Sequence, residues 1–150
     1  MKEIYYTYNN EAIASCVFLN VLEIQRTMEV ARACLVLPFL LDDRTVKYLQ
    51  RLENLIRLEF IVNEQTRLFT SFNKRYLSLL PITINSLIIL NQNNQVGFTQ
   101  NEVYIKEAIT YNEIDMGLRF NEIIKVIPLL LSILENYTTI ELYRILKIQL

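Results

Sequence analysis

Apolar residues recur every three or four positions along most of the chain, which is the spacing of one face of an α-helix. The first such stripe consists of Ile13, Val17, Asn20, Ile24 and Met28. Asn9 or Asn10 can cap this helix, so we expect it to run from there to about Met28. A more apolar helix follows from Glu29 to about Leu41, and Pro38 predicts a kink or an early end within it.

The next pattern begins at Asp42-Asp43, a pair that ends the preceding helix and can cap the following one. Its apolar seam is formed by Val46, Leu49, Leu52, Ile56 and Phe60. The spacing predicts one helix along this seam.

Residues 64–106 have the outline of a winged helix-turn-helix. We expect a helix from residue 64 through Tyr76, a break at Leu79-Leu80-Pro81 and a short helix from Ile84 to Leu90. A polar turn cluster at residues 91–95 precedes two short strands, Val96–Phe98 and Val103–Ile105. The fold class is therefore predicted to be mainly α, a helical domain with a winged-helix-like part and a short β-hairpin.

The C-terminal helices are predicted over about 112–150. Asn112 can cap the first of them, with Glu113 and Asp115 near the positive end of its dipole and Pro128 as a kink. Thr138 and Glu141 have capping-box spacing, so the last helix starts at Thr139. Without a linker or a repeat, residues 1–150 are interpreted as one domain.

Composition excludes several kinds of active site. The chain has no histidine and two glycines, so His-dependent nucleophilic catalysis, His-ligated zinc and glycine-rich phosphate loops are excluded. Two carboxylate pairs are left, Asp42 with Asp43 and Glu113 with Asp115, and both stand at predicted helix starts, where acids cap. We expect no catalytic residue, no cofactor and no metal site, although an unrecognised carboxylate site stays an alternative.

The net charge of −1 hides one cationic segment. Residues 44–75 hold seven basic and three acidic side chains, whereas residues 76–105 contain no Lys or Arg. The candidate partner-binding residues on this helix are Arg44, Lys47, Tyr48 and Arg51. They are interpreted as a docking face for an acidic protein surface, with a solvated helix face as the alternative.

The N-terminal tyrosines Tyr5, Tyr6 and Tyr8 form a second candidate partner-binding element. They precede the first predicted helix, so they either form an aromatic docking arm or pack back onto their own domain. Hydrophobic residues make up 52% of the chain, which is more than a lone monomer needs and indicates a protein partner.

Direct DNA recognition is not favoured by the winged-helix outline. A recognition helix needs Arg or Lys for phosphate and guanine contacts, but Ile84–Leu90 and the hairpin carry no cation. A small winged-helix DNA-binding regulator or antitoxin is therefore the alternative function, and any contact with DNA is expected only indirectly, through a complex.

The two cysteines, Cys16 and Cys34, lie in apolar helical contexts and are expected to be reduced and buried in a cytoplasmic protein. The N-terminus lacks the apolar core of a signal peptide. The longest apolar runs are Cys34–Leu41 and Val126–Leu131, far short of the roughly 20 residues that span a bilayer, so no membrane partner is expected.

Four stretches together resemble the middle component of bacterial three-component ABC systems. The most specific is Leu35–Thr45, an aliphatic Leu-Pro segment followed by a polar pair and Arg-Thr. The others are Asn10–Val21, Arg75–Leu90 with Val96-Gly97-Phe98, and Thr139–Ile148. Cys34 stands where the family usually has an aromatic residue, and Lys147 stands where its ending usually has glycine.

The resemblance extends to the small third subunit of Lamassu-type anti-phage defence complexes. It implies a non-catalytic adaptor between an SMC/Rad50-like ATPase dimer, which senses foreign DNA, and an effector chain that is often a nuclease. The absence of a recognisable catalytic constellation and the excess of apolar residues agree with this implication.

Overall fold

The helices and strands follow one another closely along the chain. The computed structural model describes residues 2–106 and 117–150, with side chains from residue 11 onward. The helices are α1 (Lys2–Gln25), α2 (Val30–Ala33), α3 (Val36–Leu40), α4 (Asp43–Arg51), α5 (Leu58–Glu64), α6 (Thr66–Phe69), α7 (Phe72–Gln92), α8 (Leu118–Leu134) and α9 (Thr139–Ile145). The strands are β1 (Thr27–Glu29), β2 (Val96–Phe98) and β3 (Glu102–Ile105). The mainly helical fold class is confirmed.

The strands form one antiparallel sheet in the order β1-β3-β2. The predicted hairpin of β2 and β3 is confirmed, with Gly97 opposite Tyr104. On the other side of β3, Thr27 of β1 also pairs with Tyr104. A Cβ atom at Gly97 would lie 2.5 Å from the Tyr104 ring, so glycine leaves room for that ring to cover the strand.

Helices α1 and α7 pack against each other along the core. The buried side chains of α1 include Ala14, Val17, Phe18, Val21 and Leu22. Helix α1 already contains Asn9 and Asn10, so the predicted start at these residues is wrong, and Met28 lies in β1 instead of at the helix end. Three strand residues are too few to show an alternating pattern, which is why β1 was not predicted.

The predicted break at residues 79–81 is wrong, because α7 continues through Pro81. A proline within a helix frees the carbonyl oxygen four residues earlier, here that of Leu77. Both Pro81 and Leu77 are exposed, so water can bind that oxygen and the helix need not end. Since no turn separates two helices here, the winged-helix interpretation is not confirmed.

The segment from residue 29 to residue 60 breaks at other places than the pattern predicted. Helices α2 and α3 are separated at Cys34-Leu35, and Pro38 lies in the first turn of α3, where its missing N–H is not needed. Asp42 caps α4 as predicted. Helix α4 ends at Arg51, so Ile56 and Phe60 are not part of its seam.

The C-terminal helices begin and end with recognisable caps. The predicted capping box is confirmed: the Glu141 N–H donates to the Thr138 hydroxyl and the Thr138 N–H donates to the Glu141 carboxylate, each over 3.1 Å. Beyond α9, Lys147 has a positive φ of 56°. The predicted cap Asn112, together with Glu113 and Asp115, lies outside the described residues.

An arginine joins α2 to the turn between α8 and α9. The Arg32 guanidinium donates to the carbonyl oxygens of Leu134, at 3.2 Å, and Tyr137, and to the Thr139 hydroxyl at 3.3 Å. The Thr139 hydroxyl in turn donates to Glu29 over 3.0 Å. The positive charge therefore sits where the carbonyl groups at the end of α8 lack helical partners.

A tyrosine joins the same turn to the start of α5. The Tyr137 hydroxyl donates to the Glu59 carboxylate over 2.5 Å and accepts a hydrogen bond of 3.1 Å from the Leu58 N–H. The hydrogen bond from Tyr137 holds the pKa of Glu59 below its usual value. Tyr137 thus ties the C-terminal helices to the segment that follows α4.

Across residues 2–106 and 117–150, no single helix is long and apolar enough to cross a bilayer. Helices α8 and α9 meet the length and composition test only as a pair, and they are bent by 103°.

Candidate partner-binding surfaces

The three candidate cations lie on one face of α4. Arg44, Lys47 and Arg51 are all exposed and are spaced by three and four residues, so their side chains project from the same side of the helix. Tyr48 lies between them in the sequence but is half-buried and packs against the core. Burial, and then the charge of Glu64, raise the pKa of Tyr48. The structure therefore brings the three cations together and places the tyrosine beneath them.

Asp42, which lies next to Arg44, already has hydrogen-bond and ion-pair partners. Asp42 accepts hydrogen bonds from the Thr45 N–H at 3.2 Å and the Thr45 hydroxyl at 2.6 Å. Its carboxylate lies 3.7 Å from Arg44 Nε and 4.0 Å from Arg75 Nη2. One carboxylate therefore stands against two guanidinium groups, so the surroundings of Asp42 have a net positive charge.

Asp43 also has a structural partner. Its carboxylate accepts a hydrogen bond of 3.0 Å from Arg119 Nε, which joins the start of α4 to the start of α8. Asp42 and Asp43 thus act as a helix cap and an ion pair. Within residues 2–106 and 117–150, no group of three or more Cys, Asp or Glu side chains could hold a metal ion.

The N-terminal tyrosines have their backbone in α1. Tyr5, Tyr6 and Tyr8 belong to this helix, so the expectation that they precede the first helix is wrong. Their side chains lie outside the described part of the structure, and their role in binding stays a prediction.

Arg75 joins α7 to α3 beneath the surface. Its guanidinium donates to the carbonyl oxygens of Pro38 at 3.2 Å and Leu68 at 2.9 Å, and to the Ser71 hydroxyl at 2.9 Å. It also lies over the Phe72 ring. Burial lowers the pKa of Arg75, and the charge of Asp42 opposes that effect.

An open groove of about 330 Å³ lies above Arg75. It is lined by Leu41, Ser71, Lys74, Arg75, Ser78 and Leu79. None of these six residues is acidic, and Lys74 is exposed at the rim. The groove therefore combines two cations, two hydroxyl groups and apolar walls.

A second exposed surface of α7 is an apolar stripe that begins one turn after Lys74. The stripe is formed by Leu77, Pro81, Ile84 and Ile88, which are spaced by four, three and four residues. Leu77, Ile84 and Ile88 are 46%, 47% and 46% exposed. The sequence analysis missed this surface because the expected break at Pro81 divided the stripe between two helices.

A scan against protein-family models matches residues 3–150 to the Middle Component 3 of ABC-three component (ABC-3C) systems. The chain belongs to this family. No curated protein and no solved structure matches the chain. A middle component works among the other components of its system, so this Middle Component 3 chain has protein partners.

Two family-like stretches of this Middle Component 3 chain meet at Arg75. The Leu-Pro stretch supplies the Pro38 carbonyl and the later Arg-Leu-Pro stretch supplies the arginine that donates to it. Their similarity to the family therefore coincides with a contact between α3 and α7. The exposed cations of α4 and the exposed apolar stripe of α7 belong to two of the elements joined in this region.

Proposed function

We propose that this chain is a non-catalytic adaptor that bridges an SMC/Rad50-like ATPase dimer and an effector chain, in most cases a nuclease. The complex acts in bacterial defence against phages and plasmids, is of the Lamassu type and works in the cytoplasm. The match over residues 3–150 to a middle component is the observation that supports this proposal.

The exposed surfaces agree with an adaptor role. The cationic face of α4 and the apolar stripe of α7 are different chemical surfaces on one chain. A cationic face favours an acidic partner and raises its association rate, whereas an apolar stripe contributes affinity by being removed from water. Two such surfaces allow one small chain to contact two different proteins at the same time.

A catalytic role is not favoured by the carboxylates on the described surface. The Asp42 oxygens accept hydrogen bonds from Thr45, and Asp43 is paired with Arg119. A carboxylate that acts as a base needs access to a substrate proton. We therefore assign the chemistry of the complex to the other components.

Reconstitution of the three components tests this function. The ATPase, the effector and this chain are purified separately and combined in pairs and all together, and each mixture is resolved by size-exclusion chromatography. The adaptor role predicts that ATPase and effector co-elute only when this chain is present. Their association without it, or its failure to bind either protein, would contradict the proposal.

Two further measurements separate the alternatives. A gel shift of this chain alone on DNA, repeated over a salt series, should show no specific complex, whereas a regulator would bind with a steep salt dependence. A complex with an inactivated effector should lose its nuclease activity but keep its ATP hydrolysis. Nuclease activity that survives and then disappears with Asp42→Ala would make this chain the enzyme.

A further inference from the structure

The apolar stripe of α7 is a continuous row on one side of the helix. Spacings of four, three and four residues keep Leu77, Pro81, Ile84 and Ile88 in line. Eleven residues separate the first from the last, which corresponds to about 16 Å along the helix axis. This length matches about three turns of a helix lying alongside.

The stripe also belongs to a stretch of the sequence without charged residues. Residues 76–101 contain no Asp, Glu, Lys or Arg. Covering the side chains of this stretch buries no charge of their own, and the cores of protein interfaces are depleted in charged residues because burying a charge is costly. The three large aliphatic side chains are each about half exposed, so they are available to a partner.

Among the described side chains, two charges flank the stripe: Lys74 at its first end, and Glu11 of α1, which accepts a 3.3 Å hydrogen bond from Asn85 beside Ile84. Lys74 lies one turn before Leu77, at the rim of the groove that Arg75 also lines. Arg44 is exposed on the neighbouring α4, and both arginines share the single carboxylate of Asp42. The Lys74 end therefore favours an acidic group, whereas the other end has the uncharged Asn91 and Gln92, and Glu11 beside it would repel an acid.

We propose that the stripe, with Lys74 at its first end, binds an amphipathic helix of another component of the system. The helix places its apolar face on Leu77, Pro81, Ile84 and Ile88 and an acidic residue beside Lys74. This inference rests on the proposed function and adds the chemistry of the partner to it. Helix-in-groove binding of this kind uses apolar anchors three and four residues apart.

A second copy of the chain fits the stripe less well. In a parallel pair of α7 helices, the two Lys74 side chains would face each other. In an antiparallel pair, each Lys74 would face the uncharged Asn91 and Gln92 of the other copy, so neither lysine would gain an acidic partner. A helix of another component that carries an acidic residue at this end supplies that partner.

The test uses the full chain and two probes, namely the other two components and overlapping peptides that cover their sequences. Affinities are measured for wild type, Ile84→Glu and Ile88→Glu, with Ile140→Glu as the matched control, because Ile140 is 72% exposed outside the stripe. Both stripe variants should lose roughly 30-fold in affinity, the size of a hot-spot effect, and the control about twofold at most. Circular dichroism and thermal midpoints verify that all variants fold.

Charge reversal tests the orientation of the bound helix. Lys74→Glu should weaken binding about tenfold at low salt and less at high salt, because the contact is at an exposed rim. Replacing the acidic residue of the bound peptide by lysine should restore the affinity for Lys74→Glu. Lys106→Glu, at an exposed lysine beyond β3, is the control.

Three results would overturn the inference. If the complex assembles and both stripe variants bind with wild-type affinity, the proposed binding site is wrong, although the adaptor function is unaffected. A wild-type dimer in sedimentation that Ile84→Glu dissociates makes a second copy the occupant. If wild type binds neither component, the proposed function and this inference both fail.

Discussion

The Arg75 guanidinium on α7 donates a 3.2 Å hydrogen bond to the carbonyl oxygen of Pro38 on α3. The same side chain reaches the Leu68 carbonyl and the Ser71 hydroxyl, so one residue fixes the end of α3 and the start of α7. Only a planar guanidinium with five N–H donors can serve these acceptors together. The floor of the groove above it is therefore held by hydrogen bonds to both α3 and α6.

Arg75→Ala should lower the free energy of unfolding by about 2 to 3 kcal/mol, because it leaves buried acceptors without a donor. Arg75→Lys should recover only part of this loss, since an ammonium group cannot reproduce the fork. Urea denaturation measures both. Lys74→Ala, at the neighbouring exposed lysine, is the control and should change stability by less than about 0.5 kcal/mol. An equal effect of both alanine substitutions would contradict the assignment.

Arg32→Ala should destabilise the chain by about 2 kcal/mol, because the carbonyl oxygens of Leu134 and Tyr137 lose their charged donor. Arg144→Ala removes an exposed arginine from α9 and serves as the control. Hydrogen exchange should show faster exchange in the C-terminal half of α8 and in α9 for Arg32→Ala alone. Uniform acceleration along the whole chain would argue against a local role.

Tyr137→Phe should lower stability by about 1 kcal/mol at neutral pH, because the Leu58 N–H and the Glu59 carboxylate lose a partner. The pKa of Glu59 is lowered in the folded state, so its contribution is present above the unfolded value of about 4.3 and is lost as pH falls. The difference in the free energy of unfolding between wild type and Tyr137→Phe should therefore become smaller below about pH 4.3. Urea denaturation across pH 3 to 7 measures this difference. A difference that does not change with pH would refute the role of Glu59.

Lys147→Gly should raise stability by about 0.5 to 1 kcal/mol. The Ile148 N–H donates to the Tyr143 carbonyl and the Lys147 N–H to the Arg144 carbonyl, which is the geometry that favours glycine at position 147. Lysine stands there with a φ of 56°. Lys125→Gly, inside α8, is a control with the opposite expected sign and should lower the free energy of unfolding by about 1 kcal/mol. A loss of stability at both positions would contradict the cap.

Charge reversal on α4 should slow association with the acidic partner. Arg44→Glu, Lys47→Glu and Arg51→Glu are each expected to lower the association rate constant several-fold at low salt, with little change in the dissociation rate constant. Stopped-flow measurements over a salt series test this, with Lys125→Glu on α8 as the control. If the association rate constants of all three variants are unchanged, the cationic face of α4 is a solvated helix face and not a docking surface.

Two capping signals in the sequence predicted helix starts correctly, whereas the cap expected at Asn9 or Asn10 was wrong. Asp42, Thr138 and Glu141 act within one turn, so their effect needs no knowledge of distant residues. The prediction of a break at Pro81 was wrong because the effect of proline on a helix depends on whether the freed carbonyl oxygen can bind water. Exposure to water is a property of the folded chain. Strand β1 depends on β3, which is about 75 residues away in the sequence.

The two candidate surfaces also differ in whether the sequence alone could predict them. The cationic face of α4 could be predicted because Arg44, Lys47 and Arg51 lie within a single helix. The apolar stripe could not, since leucine and isoleucine have the same pattern whether they face the core or the solvent. The packing of α1, α3, α6 and β2 against α7 decides which side of α7 is left uncovered.

The pairing of Thr27 with Tyr104 has a consequence for synthesis of the chain. The central strand of the sheet leaves the ribosome long after its first edge strand, so the nascent N-terminal part must wait without its partner. Release of the last third of the polypeptide then completes the fold. Premature termination before residue 102 should therefore yield an aggregation-prone fragment rather than a smaller native protein.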